Sequence, residues 1–137
     1  MFKFTPNLNF TWPVKVIEPD QLNPGKFIEH EFEALFEMLP PDQSKKSAKE
    51  RLAIAAKISP ELTDAEVDAI QTELDDHDLK SVKRVLRGWN GVNDADDMPI
   101  PFNDATFRML YEYRHIRNGF VRAYMDALSE DKARVGN

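Results

Sequence analysis

The chain has 137 residues, enough for one domain with its own core, and its 31% charged and 42% hydrophobic residues are typical of a globular protein. It has no cysteine, which excludes disulfides, thiolate zinc sites and a cysteine nucleophile and fits a reducing cytoplasm. No apolar run approaches the length of a membrane span, and a net charge of −6 argues against nucleic acid as a partner. We therefore expect a single domain over residues 1–137 with neither membrane nor nucleic-acid partner.

Residues 1–40 show the alternation of a β-hairpin. The first predicted strand alternates apolar with polar or proline residues, and its apolar members are Phe10, Trp12, Val14 and Val16. Pro13 favours an edge strand because proline cannot donate to a ladder. The second strand carries an acidic outer face of Glu29, Glu31 and Glu33. A two-stranded hairpin is marginal alone, so we expect it to pack against helices.

Residues 43–88 predict helices. The first runs from about 44 to 58 and ends before Pro60, since the residue preceding a proline disfavours helix. The next begins at Thr63, which has capping-box spacing to Glu66.

A break is predicted within this helical region at Asp75–Asp78, because acidic residues near a helix C-terminus oppose the helix dipole. The pattern resumes over about 79–87. Gly88 then suits the left-handed position that ends a helix, and Trp89 is expected to anchor the following 89–102 loop in the core.

The C-terminal helices are predicted over 103–130. Asn103 is a good N-cap, and Gly119 lies inside an apolar stripe where its cost in a helix suggests close packing. Residues 131–137 are charged and predict a frayed tail.

No motif for catalysis or for binding a metal or cofactor is present. The three histidines fall in different elements, and His30 on an apolar strand face is read as a hydrogen-bonded core residue. The acidic stretch from Asp94 resembles a calcium loop only superficially, since Pro99 replaces the required glycine and Ala105 the required glutamate. We predict no enzyme activity, no cofactor and no metal site.

Two features bear on partners. Met109 and Tyr113 lie off the apolar stripe of the C-terminal helices and are candidates for partner contacts. Basic stretches at 43–57 and 79–88 flank an acidic one at 59–78. These segments are either complementary solvated faces of neighbouring helices or a source of electrostatic complementarity between copies in an oligomer.

A run of short motifs resembles the tail assembly chaperones of long-tailed bacteriophages and prophages. The N-terminal half agrees through an opening Phe-Lys-Phe, the segment 11–14 and the segment 25–27. Two departures are an Asp96-Asp97 pair where the family pattern usually offers Asp-Gly, and residues 43–78, which match no motif. The residues that carry the resemblance in the C-terminal half are Gly88, Trp89, Gly91, Val92, Pro101, Phe102, Asn103 and Tyr124.

The resemblance implies a non-enzymatic chaperone in the cytoplasm of the bacterial host. Such proteins bind the tape measure protein and keep it soluble while the tail tube polymerises, and they are absent from the mature virion. A longer frameshifted product contacts the tail tube protein in many relatives, and self-association as a homo-oligomer is expected. The alternative is a structural virion component, a tail tube or connector protein, although residues 1–40 supply little strand for a tube subunit.

The expected fold is therefore α+β and mainly α-helical. An N-terminal β-hairpin packs against about four to five helices.

Overall fold

The computed structural model describes residues 1–129, so the predicted tail at 131–137 lies outside the described residues. The predicted α+β class is confirmed, with 46% helix and 22% strand. The elements in chain order are β1 (Asn9–Pro19), β2 (Phe27–Glu37), α1 (Pro41–Ala55), α2 (Asp64–Val85), β3 (Leu86–Asn90), α3 (Asp104–Tyr111) and α4 (Arg114–Ala127).

These elements cluster into two compact units. The hairpin unit comprises Met1–Leu8 and Glu37–Val85, which include the helical hairpin of α1 and α2. The sheet unit comprises Asn9–Phe36 and the chain from Leu86 onward, which hold the three strands, α3 and α4. The prediction of one domain over 1–137 stays a prediction.

The predicted N-terminal hairpin is confirmed as β1 and β2 of the sheet unit. Its turn is closed by the Asp20 amide, which donates to the Lys26 carbonyl at 2.9 Å. The Asp20 carboxylate accepts from the Asn23 side chain at 2.9 Å and from the Leu22 amide at 3.0 Å. These bonds to its charged form hold the pKa of Asp20 below the usual range, with the Asn23 contact contributing most.

A third strand extends the predicted hairpin to an antiparallel sheet of order β1-β2-β3. Gly88 lies within β3 opposite Leu35, and Trp89 lies opposite Ala34. The prediction that Gly88 ends a helix in a left-handed conformation was wrong, since its φ is not positive. The edge of β2 that does not pair with β1 has backbone groups that form hydrogen bonds with Leu86–Asn90. Only the folded chain brings these two segments together, so this long-range pairing overrides the local helical pattern.

The predicted helix break at Asp75–Asp78 was also wrong, because α2 runs without interruption from Asp64 to Val85. These acidic side chains lie within the helix rather than at its end, and Asp75, Asp76 and Asp78 each have a basic or polar partner. Arg51 pairs with Asp78 at 2.8 Å, and Lys80 pairs with Asp76 at 3.0 Å within the helix. Gln71 donates to Asp75 at 3.1 Å. The predicted conflict with the helix dipole does not arise, because α2 ends seven residues after Asp78, at Val85.

Helix α4 packs across β1, and the predicted close packing of Gly119 is confirmed. A Cβ at this position would lie 2.9 Å from the Lys15 carbonyl oxygen and 3.3 Å from the side chains of Val14 and Val16. Arg122 donates to the same Lys15 oxygen at 2.8 Å. The buried side chains of the sheet unit are Val14, Val16, Ala34, Phe36, Leu86, Phe107, Tyr111, Phe120 and Ala123.

The hairpin unit has a much smaller apolar core. Helix α1 has no buried residue, and only Leu74 and Val85 of α2 are buried. The predicted capping box is confirmed, since the Glu66 amide donates to Thr63 Oγ1 at 3.2 Å and the Thr63 amide donates to Glu66 Oε1 at 3.1 Å. These bonds lower the pKa of Glu66, with the backbone donor of Thr63 as the larger cause.

Helix α1 begins at Pro41, about three residues before the predicted start. Proline is favoured in the first turn because its missing N–H would have no partner there. The helix also ends three residues early, at Ala55.

Candidate interaction surfaces

Trp89 anchors the segment that follows β3 to the rest of the sheet unit. Its indole N–H donates to the Ile100 carbonyl at 2.8 Å. Its ring packs edge-on against Phe102 at 4.9 Å and stacks near Phe120 at 6.2 Å between centroids. The side chain is half-buried, so Trp89 anchors this segment as predicted, although it does so from within a strand.

The acidic segment after β3 folds back on itself as a small loop. The Ile100 amide donates to the Val92 carbonyl at 2.8 Å, and Asn93 pairs with Pro99. At the tip, the Asp94 carboxylate accepts from the amides of Asp96 and Met98 at 2.9 and 3.0 Å. This carboxylate is therefore used in shaping the turn.

Two residues of this loop have positive φ. Gly91 adopts φ +88° and Asp97 adopts φ +64°. Asp97 thus has a side chain in a backbone conformation that glycine adopts at lower cost. Within residues 1–129, no three His, Asp or Glu side chains are placed to hold a metal ion.

Asn103 is the N-cap of α3, as predicted. Its side chain accepts from the Thr106 amide at 2.9 Å, and its own amide donates to Thr106 Oγ1 at 3.0 Å. The Thr106 hydroxyl also donates to the Pro101 carbonyl at 2.7 Å, which ties the proline loop to the helix start. Sequence reasoning missed Thr106, whose role follows from its position three residues after the cap.

Tyr124 is half-buried in the sheet unit, where it packs against two aromatic rings. Its ring packs edge-on against Phe36 at 5.4 Å and near Phe10 at 6.5 Å. Trp89, Asn103 and Tyr124 thus make contacts that stabilise the sheet unit.

Several large apolar side chains on the C-terminal helices are exposed. Met109 and Tyr113, predicted as partner contacts, are 47% and 56% exposed. Their role in binding stays a prediction. Met125 and Leu128, which the sequence analysis did not single out, are 64% and 43% exposed. The exposed large apolar residues of this C-terminal region are Met109, Tyr113, Val121, Met125 and Leu128.

An open groove of about 440 Å³ lies beside β1 and α4. Its lining combines Lys15 and Arg122 with Glu29, Glu31 and the half-buried Trp12. The Lys15 carbonyl beside this groove already accepts a hydrogen bond from Arg122. The groove thus mixes both charge signs without a nucleophile or a metal-ligand cluster.

The fold brings two of the three histidines together, which the sequence did not predict. His30 Nε2 lies 2.9 Å from Glu18, and His115 Nε2 lies 3.5 Å from the other oxygen of that carboxylate. The prediction that His30 is a core residue was wrong, since its side chain is 54% exposed. It lies near the hairpin turn, where all of residues 21–31 are exposed.

No protein-family model, curated protein or solved structure matches this chain. Within the described residues, no helix has both the length and the apolar character needed to cross a membrane.

Proposed function

We propose that this protein is a tail assembly chaperone of a long-tailed bacteriophage or prophage. It binds the tape measure protein, keeps it soluble during tail tube polymerisation, and catalyses no reaction. The motif run from Gly88 to Asn103 supports the family, and the surface chemistry of the sheet unit supports the mode of binding.

The observation that carries the proposal is the exposure of methionine on this unit. Met98, Met109 and Met125 are each between 47% and 64% exposed. Methionine has three rotatable bonds and a polarizable sulfur, so it adapts to varied apolar partners and is common on binding surfaces with broad specificity. A chaperone that must cover many segments of one long client needs this kind of surface.

The spacing on α4 suits a helical client. Val121 and Met125 lie at i and i+4 on one face of α4, and the exposed Leu128 follows as the C-cap residue of that helix. Such a face packs against the apolar stripe of another amphipathic helix. Met109 and Tyr113 extend the set of contacts that the sheet unit offers.

Many copies acting together strengthen such contacts. A long client presents repeated apolar segments, and a homo-oligomer binds them with an avidity that exceeds the affinity of one copy. The tail tube protein is a second proposed partner. The proposed location is the host cytoplasm, with release before the virion is complete.

Co-expression with the tape measure protein tests the proposal. We expect the soluble fraction of this client to rise several-fold with the wild-type chain and to fall back with the double variant Met109→Lys/Met125→Lys. The matched control is Leu22→Lys, which changes an exposed apolar residue of the β1–β2 turn and leaves solubilisation intact. A client equally insoluble with and without the wild-type chain would contradict the proposal.

Mass spectrometry of purified mature particles separates the proposal from the alternative of a tube or connector protein. A chaperone is absent from the particles. Detection of this chain at a fixed stoichiometry to the tube protein would favour the structural alternative.

A further inference from the structure

One face of the sheet presents an exposed acidic row. Ala34 and Phe36 of β2 are fully buried. Because successive side chains of a strand point to opposite faces, Glu31, Glu33 and Leu35 lie on the other face, where all three are exposed. Neither glutamate of this row has an ion-pair partner within residues 1–129. We call Glu31, Glu33 and Leu35 the acidic face of the sheet.

A shallow cavity of about 190 Å³ lies beside this row. Gly88 of β3 is opposite Leu35, and a Cβ at Gly88 would meet nothing within 4 Å. Asn90, which is opposite Glu33, and Thr11 of β1 also line the cavity. The missing side chain of Gly88 therefore leaves a depression next to an exposed leucine, and an apolar side chain of a partner can fill it.

Helix α1 carries the complementary pattern in the hairpin unit. The Oγ atoms of Ser47 and Ser81 are 3.1 Å apart, so Ser47 lies on the side of α1 that faces α2. Lys45, Lys49 and Leu52 lie at i, i+4 and i+7 on the opposite side and are all exposed, Leu52 by 71%. Neither lysine has an ion-pair partner in the described part of the chain. We call Lys45, Lys49 and Leu52 the basic face of α1.

The two faces match in spacing as well as in charge. Alternate residues of a strand are about 6.6–6.8 Å apart on one face, and residues four apart in a helix are separated by a rise of about 6 Å. With Lys45 placed against Glu31, Lys49 therefore comes to Glu33. Leu52 then follows in the direction of the cavity, where it adds apolar burial to two ion pairs that contribute little by themselves.

We propose that the basic face of α1 docks on the acidic face of the sheet in a second copy of this chain. Because the two surfaces differ, the contact joins copies head to tail and continues to further copies until a ring closes. The contact deepens the proposed function and rests on it for its purpose, since it brings several client-binding surfaces together. The contact itself needs no client.

Sedimentation velocity of the full chain without client tests this contact. We expect the average mass of the wild-type chain to rise with protein concentration and to fall when salt increases from about 50 mM to about 500 mM. The variants Lys45→Glu/Lys49→Glu and Glu31→Lys/Glu33→Lys should each weaken self-association about tenfold or more, because each places like charges opposite one another. A wild-type chain that is monomeric at every concentration would overturn the proposal.

An equimolar mixture of the two charge-reversal variants separates a contact between copies from one within a chain. In the mixture, the unchanged basic face of one variant meets the unchanged acidic face of the other, so self-association should return although neither variant associates alone. Recovery also shows that both variants are folded. A mixture that stays as dissociated as its components would overturn the proposal.

Matched variants control for net charge. Lys3→Glu/Lys26→Glu and Glu61→Lys/Asp68→Lys make the same changes in charge at exposed positions outside the two faces, so they should associate like the wild-type chain. Association weakened equally by these controls would mean that net charge alone governs it, which contradicts the proposed contact.

The role of the leucine is tested in the same way. Leu52→Ser should weaken self-association, whereas Leu22→Ser, at a position 87% exposed in the β1–β2 turn, should not. Equal association of both leucine variants would contradict the docking of Leu52 in the cavity. All of these measurements use the chain alone, whereas solubilisation of the client is measured by co-expression, so failure of this contact and failure of the chaperone proposal are separate results.

Discussion

The sheet unit and the hairpin unit are stabilised by different kinds of contact. The sheet unit buries nine apolar side chains, and the ring of Phe120 lies within 6.2 Å of those of Phe32, Trp89 and Phe107. The hairpin unit buries only Leu74 and Val85, and the polar contacts between its two helices include the partly exposed Arg51–Asp78 pair. Apolar burial stabilises far more than exposed ion pairs do, so the sheet unit should be the stable scaffold and α1 the part that opens first.

The largest effect is expected for Phe120→Ala at the centre of the aromatic cluster. This side chain is fully buried, so its removal should lower the free energy of unfolding by about 3–5 kcal/mol, measured by urea denaturation. The neighbouring Val121→Ala is the control, because its side chain is exposed and the loss should stay within about 0.5 kcal/mol. Similar losses in both variants would contradict the assignment of the core.

Gly119→Ala should destabilise the contact of α4 with β1. The added methyl group meets the Lys15 carbonyl at 2.9 Å, and overpacking of about 1–3 kcal/mol exceeds the helix propensity that alanine gains. In Gly88→Ala the methyl group has no neighbour within 4 Å, so we expect little change in thermal stability. A stabilised Gly119→Ala variant would show that α4 does not lie this close to β1.

Arg51→Met should have a small effect on the hairpin unit. The Arg51–Asp78 pair is partly exposed, so the loss should be at most about 1 kcal/mol and should shrink in high salt. Lys46→Met, at an exposed position of the same helix, is the matched control. A loss comparable to that of Phe120→Ala would mean that the two units do not differ as described.

The smallest effect is expected at Asp97, where glycine relieves a left-handed backbone. Asp97→Gly should raise the free energy of unfolding by up to about 1 kcal/mol in a thermal melt, because φ +64° is costly for a residue with a Cβ. Asp96→Gly, at a position without positive φ, should bring no gain. Equal responses at the two positions would argue against the turn geometry.

Local signals in the sequence predicted much of the fold. Alternation predicted β1 and β2, capping spacing predicted the bonds between Thr63 and Glu66, and the cost of an interior glycine predicted the close contact of Gly119. Each of these features depends on residues that are near in sequence or on one residue's own preference.

The missed features depend on long-range partners. Strand β3 exists because β2 supplies an edge, and one of the contacts that offset the acidic residues of α2, the Arg51–Asp78 pair, comes from another helix. The exposed residues of the candidate surface also divide into those predicted from local sequence and those that depend on long-range packing. The exposure of Met109 and Tyr113 was predicted from the stripe, whereas that of Met125 and Leu128 depends on which face of α4 meets β1.

We propose that the sheet unit is the stable scaffold and that it also carries the proposed client-binding surface. Hydrogen exchange of the full chain, alone and co-purified with a tape measure fragment, tests both parts at once. We predict the slowest exchange in β1, β2 and α4, the fastest helical exchange in α1, and client-dependent protection on α3 and α4. Protection by the client confined to α1 and α2, or no protection in either unit, would contradict the account.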